Sequence, residues 1–435
     1  MTEPESTDRG LSRPKDQREN KDTGAAGRSG GSRDVRAAFW TLAGLHAAVC
    51  AATIWLAYTR GPSFQVEIFR DYADRIAAGL VPYADFPHEY PPTSLVILIL
   101  PRLLTADPAL YSALFSLQIL FCSVLILYLM SRLGLAPLLL YGVGMLLFWR
   151  VPYIRHDLVP VLVATLGAFA VLRGRTLLAA LLWGLGGALK LYPVVAAPVL
   201  AFGNTLKRTF LAWTLLGVVF LAGLTWGIPA FGPESMMYLT YHSDRPAQVE
   251  SLPGNVQFFL PDPVVVNTYG SFNVTGPGYE ALVALFTFLP LALVLVGVGG
   301  AGWQARGLGT DGMRRAAVRG AALATFAFAV YGKVLAWHYF FWPLPLMAMA
   351  HALWGFRHPR LVWGLYFCAV LLTTAINELY WTLEAALPAF VAMLTLRNAL
   401  IFPVFFLMLL PVRPSGTKGY PPDKSRYPER DEEGV

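Results

Sequence analysis

Residues 110–130 read LYSALFSLQILFCSVLILYLM and carry no charge. At 1.5 Å per helical residue such a run reaches about 30 Å, the hydrocarbon thickness of a bilayer. Residues 37–58, 209–230 and 280–301 are runs of the same kind, while 317–334, 339–355 and 361–376 come near the lower length limit. Shorter or proline-broken apolar runs occupy 93–104, 136–149, 158–172, 176–190, 193–203, 380–396 and 399–411. Across the chain 56% of residues are hydrophobic and 14% charged, with a mean hydropathy of +0.51. Soluble domains carry roughly 25% charged residues. Lipid tolerates only helices or closed barrels, and the period-two alternation of a barrel is absent. The expected fold is therefore all-α: a polytopic transmembrane helical bundle of about 11–13 spans. It covers residues 36–411, between polar tails at 1–35 and 412–435 whose mixed charge, Gly and Pro predict disorder.

The net charge of +7 comes from 34 Lys and Arg against 27 Asp and Glu. In a soluble protein that balance raises nucleic acid as a partner. Here the basic residues cluster in short loops between apolar runs, at Arg173–Arg175, Lys207–Arg208, Arg306 to Arg319 and Arg357 to Arg360. Such loops read as cytoplasmic, so no nucleic-acid partner is expected. The segments 59–92, 231–279 and 332–346 then share the extracytoplasmic face of a plasma membrane. Alternation fails at one place: if 93–104 crosses fully, Arg173–Arg175 falls on the wrong side. Either 93–104 is re-entrant or a later segment is. Residues 1–35 hold no apolar segment of the signal-peptide kind. Cys50, Cys122 and Cys368 lie inside apolar runs without paired spacing, which implies neither disulfide nor zinc. No clustered Asp-x-Asp appears, so neither a metal nor another cofactor is expected.

Between the first two apolar runs lies VEIFRDYADRIAAGLVPYADFPHEYPP, residues 66–92. Outside the two tails the chain has 15 Asp and Glu, and five are here: Glu67, Asp71, Asp74, Asp85 and Glu89. Carboxylates gathered beside hydrocarbon are costly, which makes this loop a functional-site hypothesis. Ile68, Phe69, Tyr72, Ala73 and Ile76 recur at helical spacing and predict a short amphipathic helix on the membrane surface. Arg70–Asp74 and Asp71–Arg75 are i,i+4 pairs. Glu67 has no i+4 cation and is expected to be the carboxylate left for other work. The prolines of VPYADFPHEYPP restrict the backbone that carries Asp85, His88, Glu89 and Tyr90.

The succession of an acid, I-F, R-D-Y-A, G-x-x-P-Y-x-D-F and E-Y-P-P resembles glycosyltransferase family 87. RHDLVP (155–160), GGALKLYP (186–193), RPAQVESL (245–252) and GKVLAWHYFFWPLPL (332–346) fit the same pattern. The matches spread from residue 67 to 346. The resemblance implies a GT-C fold and a polyprenyl-phosphate-mannose-dependent hexosyltransferase. Such an enzyme moves a sugar, on the outer face and with inversion, from a lipid-phosphate donor to a glycan or glycolipid acceptor. Two departures stand out. Glu67 occupies the place of a usual Asp, and Ala336-Trp337-His338-Tyr339 replaces a frequent Ser-Pro-Gln-Tyr. Glu67 is the expected base, with Asp71 in reserve.

That chemistry needs one carboxylate to take the acceptor's proton and cations to receive the departing phosphate. A phosphate leaves without the second carboxylic acid that glycosidases use. Arg155, Lys190, Arg245, Lys333 and His338 are the candidate phosphate-binding groups. Asp85, His88, Glu89, Tyr90 and Glu250 are the candidate substrate contacts. Plainer roles exist for each: Lys190 can snorkel to the interface, and Arg155 can pair with Asp157. Broken helices with buried charges also suit a secondary transporter or a lipid-linked-sugar flippase.

Overall fold

The structure, a computed structural model, describes residues 22–241, 245–380 and 383–412. Helix α1 (Asp22–Arg60) leads into the short α2 (Phe64–Ala77), then α3 (Leu95–Leu104) and α4 (Pro108–Ser131). Next come α5 (Leu135–Leu146), α6 (Leu158–Leu172), α7 (Thr176–Leu189), a 3-10 helix (Tyr192–Ala201) and α8 (Leu206–Thr225). A long connection carries α9 (Gly227–Phe231), α10 (Met237–Tyr241) and α11 (Leu252–Gln257). The chain then forms α12 (Glu280–Gln304), α13 (Gly309–Val330), α14 (Leu344–Leu353), α15 (Pro359–Leu379) and α16 (Leu383–Leu409). Six helices among the described residues are long and apolar enough to cross a membrane: Ser32–Arg60, Pro108–Ser131, Leu206–Phe231, Glu280–Gln304, Pro359–Asn377 and Leu387–Leu409. The chain is an all-α, multi-pass membrane protein.

Two pairs of elements fold back on each other as broken hairpins, α7 with the 3-10 helix and α13 with α14, while α5 packs against α1, α4 and α14 and α6 against α4, α7 and α13. Prolines and glycines set these breaks. In GLGGALKLYP, Pro193 follows α7 closely, and Gly223 lets α8 come so near that a Cβ there would lie 2.3 Å from the Ala188 methyl. α3 has ten residues and spans about 15 Å, half the hydrocarbon thickness. The basic loops fall together. Arg208 Nη2 donates to Gly174 O at 2.7 Å, Thr176 Oγ1 to Asn204 Oδ1 at 2.9 Å, and Arg314 packs against Gly174.

Two expectations change. α1 already begins at Asp22, inside the stretch assigned to a tail, because extending an existing helix avoids the cost of nucleation. Residues 1–21 and 413–435 lie outside the described residues. The runs 380–396 and 399–411 belong to one helix, α16. Arg397 and Asn398 interrupt its hydropathy but are buried rather than at a boundary.

The opposite end gathers the long connections. A small antiparallel sheet, β1 (Ala247–Gln248), β2 (Val264–Thr268) and β3 (Ser271–Thr275), has the order β1-β3-β2. Thr268 pairs with Ser271 across a Tyr269–Gly270 turn whose residues both have positive φ, at 54° and 65°. Gln248 N donates to Lys333 O at 2.9 Å, and Phe272 N to the Tyr380 hydroxyl at 2.8 Å. These bonds tie the sheet to the α13–α14 turn and to the end of α15.

Candidate functional site

α2 is amphipathic, as its spacing predicts. Ser63 caps it, with Oγ accepting the Val66 N–H. Its buried side is Val66, Phe69 and Ala73, with Gln65 beside them. Glu67 sits about 200° round the helix from Gln65. The Glu67 carboxylate takes two N–H groups of Arg70, at 3.0 and 2.7 Å. Arg70 also holds Asp74 at 2.5 Å, and Asp74 holds Arg102 of α3 at 2.5 Å. Glu67 is therefore not the carboxylate without a partner. Its cation lies at i+3, where helical side chains meet as readily as at i+4. Asp71 pairs with Arg75 at 2.8 Å in a half-exposed position.

The segment after α2 is a clasp. Tyr83 N donates to Phe86 O at 2.8 Å, and the Asp85 carboxylate accepts the Val81 N–H at 2.7 Å. Tyr83 adopts φ 69°, a conformation that costs about 1 kcal/mol or more, and its hydroxyl donates to Tyr90 O at 2.7 Å. His88 is buried among the rings of Tyr72, Tyr83 and Tyr90 and bonds Ser94 Oγ at 3.2 Å. Burial pushes its pKa down to about 3, so it is a neutral packing element. Asp85 and His88 thus shape the loop. Glu89 stays half-buried, and Tyr90 is buried.

Inward of this clasp the segment before α6, the end of α7 and the α13–α14 turn meet. Asp157, fully buried before α6, receives Lys190 Nζ at 2.5 Å and the Trp342 indole N–H at 2.8 Å on one oxygen, Oδ1. Its Oδ2 lies 3.5 Å from Arg155 Nε, and neither of these atoms has a hydrogen-bond partner among the described residues. Arg155 donates to the Gln65 side chain, to the Tyr90 hydroxyl at 3.3 Å and to His338 Nε2 at 2.9 Å. A guanidinium only donates, so His338 accepts through Nε2 and carries its proton on Nδ1. Lys190 Nζ lies 5.2 Å from the Tyr90 ring centroid, 4.9 Å from Trp342 and 5.8 Å from Tyr339, an aromatic box for a cation. Lys190 is thus enclosed rather than reaching for an interface. The two cations enclose a single carboxylate. The charge of Glu89 acts on both Arg155 and Lys190 from the rim.

Arg245 is buried beside the sheet. Its Nε donates to Asn273 Oδ1 at 3.2 Å and its Nη2 to Ser271 Oγ. Its charge reaches Tyr339 on one side and Glu250 on the other. Glu250 is buried too, and Arg397 donates to its backbone oxygen. Burial pushes the Glu250 carboxyl up to about 7, against the opposing pull of Arg397 and Arg245. Lys333 is half-buried and offers its carbonyl to β1.

Arg155, Lys190, His338 and Tyr90 therefore converge, with Glu89 at their rim and Arg245 at one remove. Glu67, Asp71 and Asp85 make their bonds elsewhere. Sequence reasoning gave Asp157 only a partner's role, and it passed over Gln65, His156 and Trp342. His156 is wedged between Phe69 and Tyr90, with neither ring nitrogen bonded among the described residues. The RHDLVP segment was the available signal for Asp157 and His156. Gln65 lies just before the segment that drew notice. No group of His, Cys, Asp and Glu among the described residues is arranged to hold a metal ion. No family model, curated protein or solved structure matches the chain.

Proposed function

We propose that this protein is a membrane glycosyltransferase of the GT-C type, similar to glycosyltransferase family 87. It would move a hexose, mannose by the resemblance, from a polyprenyl-phosphate donor to an extracytoplasmic glycan or glycolipid, with inversion at the anomeric carbon. The observation that carries this reading is the burial of Arg155 and Lys190 around one carboxylate, Asp157, with a third group, His338, bonded to Arg155. Two fixed cations in a water-poor site can stabilise the phosphate as it leaves with its full charge, and they need no reorganisation to do so. Asp157 holds both in place. Tyr90, Tyr339 and Trp342 surround Lys190 in the same cluster.

The donor needs no second acid, because phosphate is already a good leaving group. The positive-inside reading puts this end of the bundle outside the cytoplasm. The test is transfer by the purified full chain in proteoliposomes, with polyprenyl-phosphate [3H]mannose as donor. Label moving to a new, acceptor-dependent product supports the reading. Label that crosses the bilayer unchanged favours the second reading, a transporter or flippase, which the broken hairpins and the buried Lys190–Asp157 pair also suit.

A further inference from the structure

Resting on the glycosyltransferase reading, we propose that Glu89, rather than Glu67 or Asp71, is the catalytic base. Three observations carry it. First, position: Glu89 is half-buried and adjoins Tyr90, whose hydroxyl accepts an Arg155 N–H at 3.3 Å and whose ring centroid lies 5.2 Å from Lys190 Nζ, and its charge acts on both cations. The bonds of Glu67 and Asp71 run to Arg70 and Arg75 instead. Second, surroundings: the charge of Glu89 also acts on the Tyr90 and Tyr241 phenols. Burial first, then the Glu89 charge, pushes both phenols above their usual range, so both stay protonated. Third, rigidity: Pro87, Pro91 and Pro92 flank Glu89, and Tyr83 pins the backbone at Tyr90 O. A base held this way keeps its reach to an acceptor hydroxyl.

In the step this assigns, the acceptor oxygen forms a bond to the anomeric carbon and its proton passes to the Glu89 carboxylate. The bond from the anomeric carbon to the phosphate oxygen breaks, and its electron pair leaves with the polyprenyl phosphate beside Arg155 and Lys190. Configuration inverts, and the proton returns to solvent at the rim.

The experiment compares Glu89→Gln, Glu89→Asp and Glu67→Gln in proteoliposomes, with polyprenyl-phosphate [3H]mannose as donor and octyl mannoside as acceptor. Glu89→Gln is expected to lose about 100-fold or more in kcat with its donor Kd unchanged. Glu89→Asp should retain an intermediate rate, since it keeps the carboxylate at shorter reach. Unchanged donor binding also shows that the variants are folded. Turnover of Glu89→Gln within about threefold of wild type overturns the assignment and leaves the glycosyltransferase reading standing. So does a loss confined to Glu67→Gln. A wild-type protein that transfers no label overturns that reading and this assignment with it.

Discussion

Lys190 Nζ stands 2.5 Å from Asp157 Oδ1, and the same oxygen accepts the Trp342 N–H at 2.8 Å. One carboxylate thereby joins three parts of the bundle: the end of α7 through Lys190, the segment before α6 through Asp157, and the α13–α14 turn through Trp342. Removing one member of such a pair leaves the other charged and unsatisfied. Lys190→Met and Asp157→Asn are each expected to destabilise by about 3–5 kcal/mol. The double variant should recover part of that loss. Thermal unfolding in detergent checks this, and two losses that simply add would show that the pair is not coupled.

Arg155 serves three acceptors with one planar fork: Gln65, Tyr90 and His338. Lysine keeps the charge but not the fork. Arg155→Lys should therefore fold while losing about 10-fold or more in affinity for polyprenyl phosphate, equivalent to at least one charge-assisted hydrogen bond. Titration with the lipid phosphate measures it. An unchanged affinity would assign Arg155 to packing alone.

Glu250 sets a pH dependence of stability. Its carboxyl is raised from the ordinary 4.5 to about 7 by burial. The native state thus holds a proton that the unfolded chain has released. The resulting stabilisation is fully present below about 4.5 and is lost as pH rises to about 7, with a span of roughly 3 kcal/mol. The thermal midpoint of the wild type should fall across that window relative to Glu250→Gln, which cannot titrate. Parallel curves for the two proteins would contradict the assignment.

The Glu67–Arg70–Asp74–Arg102 chain links α2 to α3 in a part-exposed setting. Exposed ion pairs stabilise by less than about 1 kcal/mol. Arg102→Ala should lower stability by about that amount and leave transfer near wild type. A collapse of transfer in Arg102→Ala would mean that the face of α2 turned away from the cluster takes part in the chemistry.

Much of the helical plan is legible in the sequence because lipid exposure and backbone satisfaction leave few alternatives to long apolar helices. The cations of the site are legible too, since Arg155, Lys190 and His338 interrupt apolar or aromatic stretches. Their common partner is not. Asp157 reaches Lys190 across 33 positions and Trp342 across 185, separations that follow from how broken hairpins stack rather than from local pattern. Local pattern misleads at Glu67, where attention to i+4 hides a partner at i+3. It also passes over Gln65, an uncharged residue that the buried side of α2 turns toward Arg155. The strands β1 to β3 are too short, and too dependent on the α13–α14 turn and the end of α15, to announce themselves.

A structure of the protein with polyprenyl phosphate bound tests the central claim most directly. The account predicts a phosphate held between Arg155 and Lys190, with oxygens at roughly 3 Å from their nitrogens, and the lipid leaving between helices. A phosphate seated elsewhere, with Arg155, Lys190 and His338 untouched and still closed around Asp157, would contradict it.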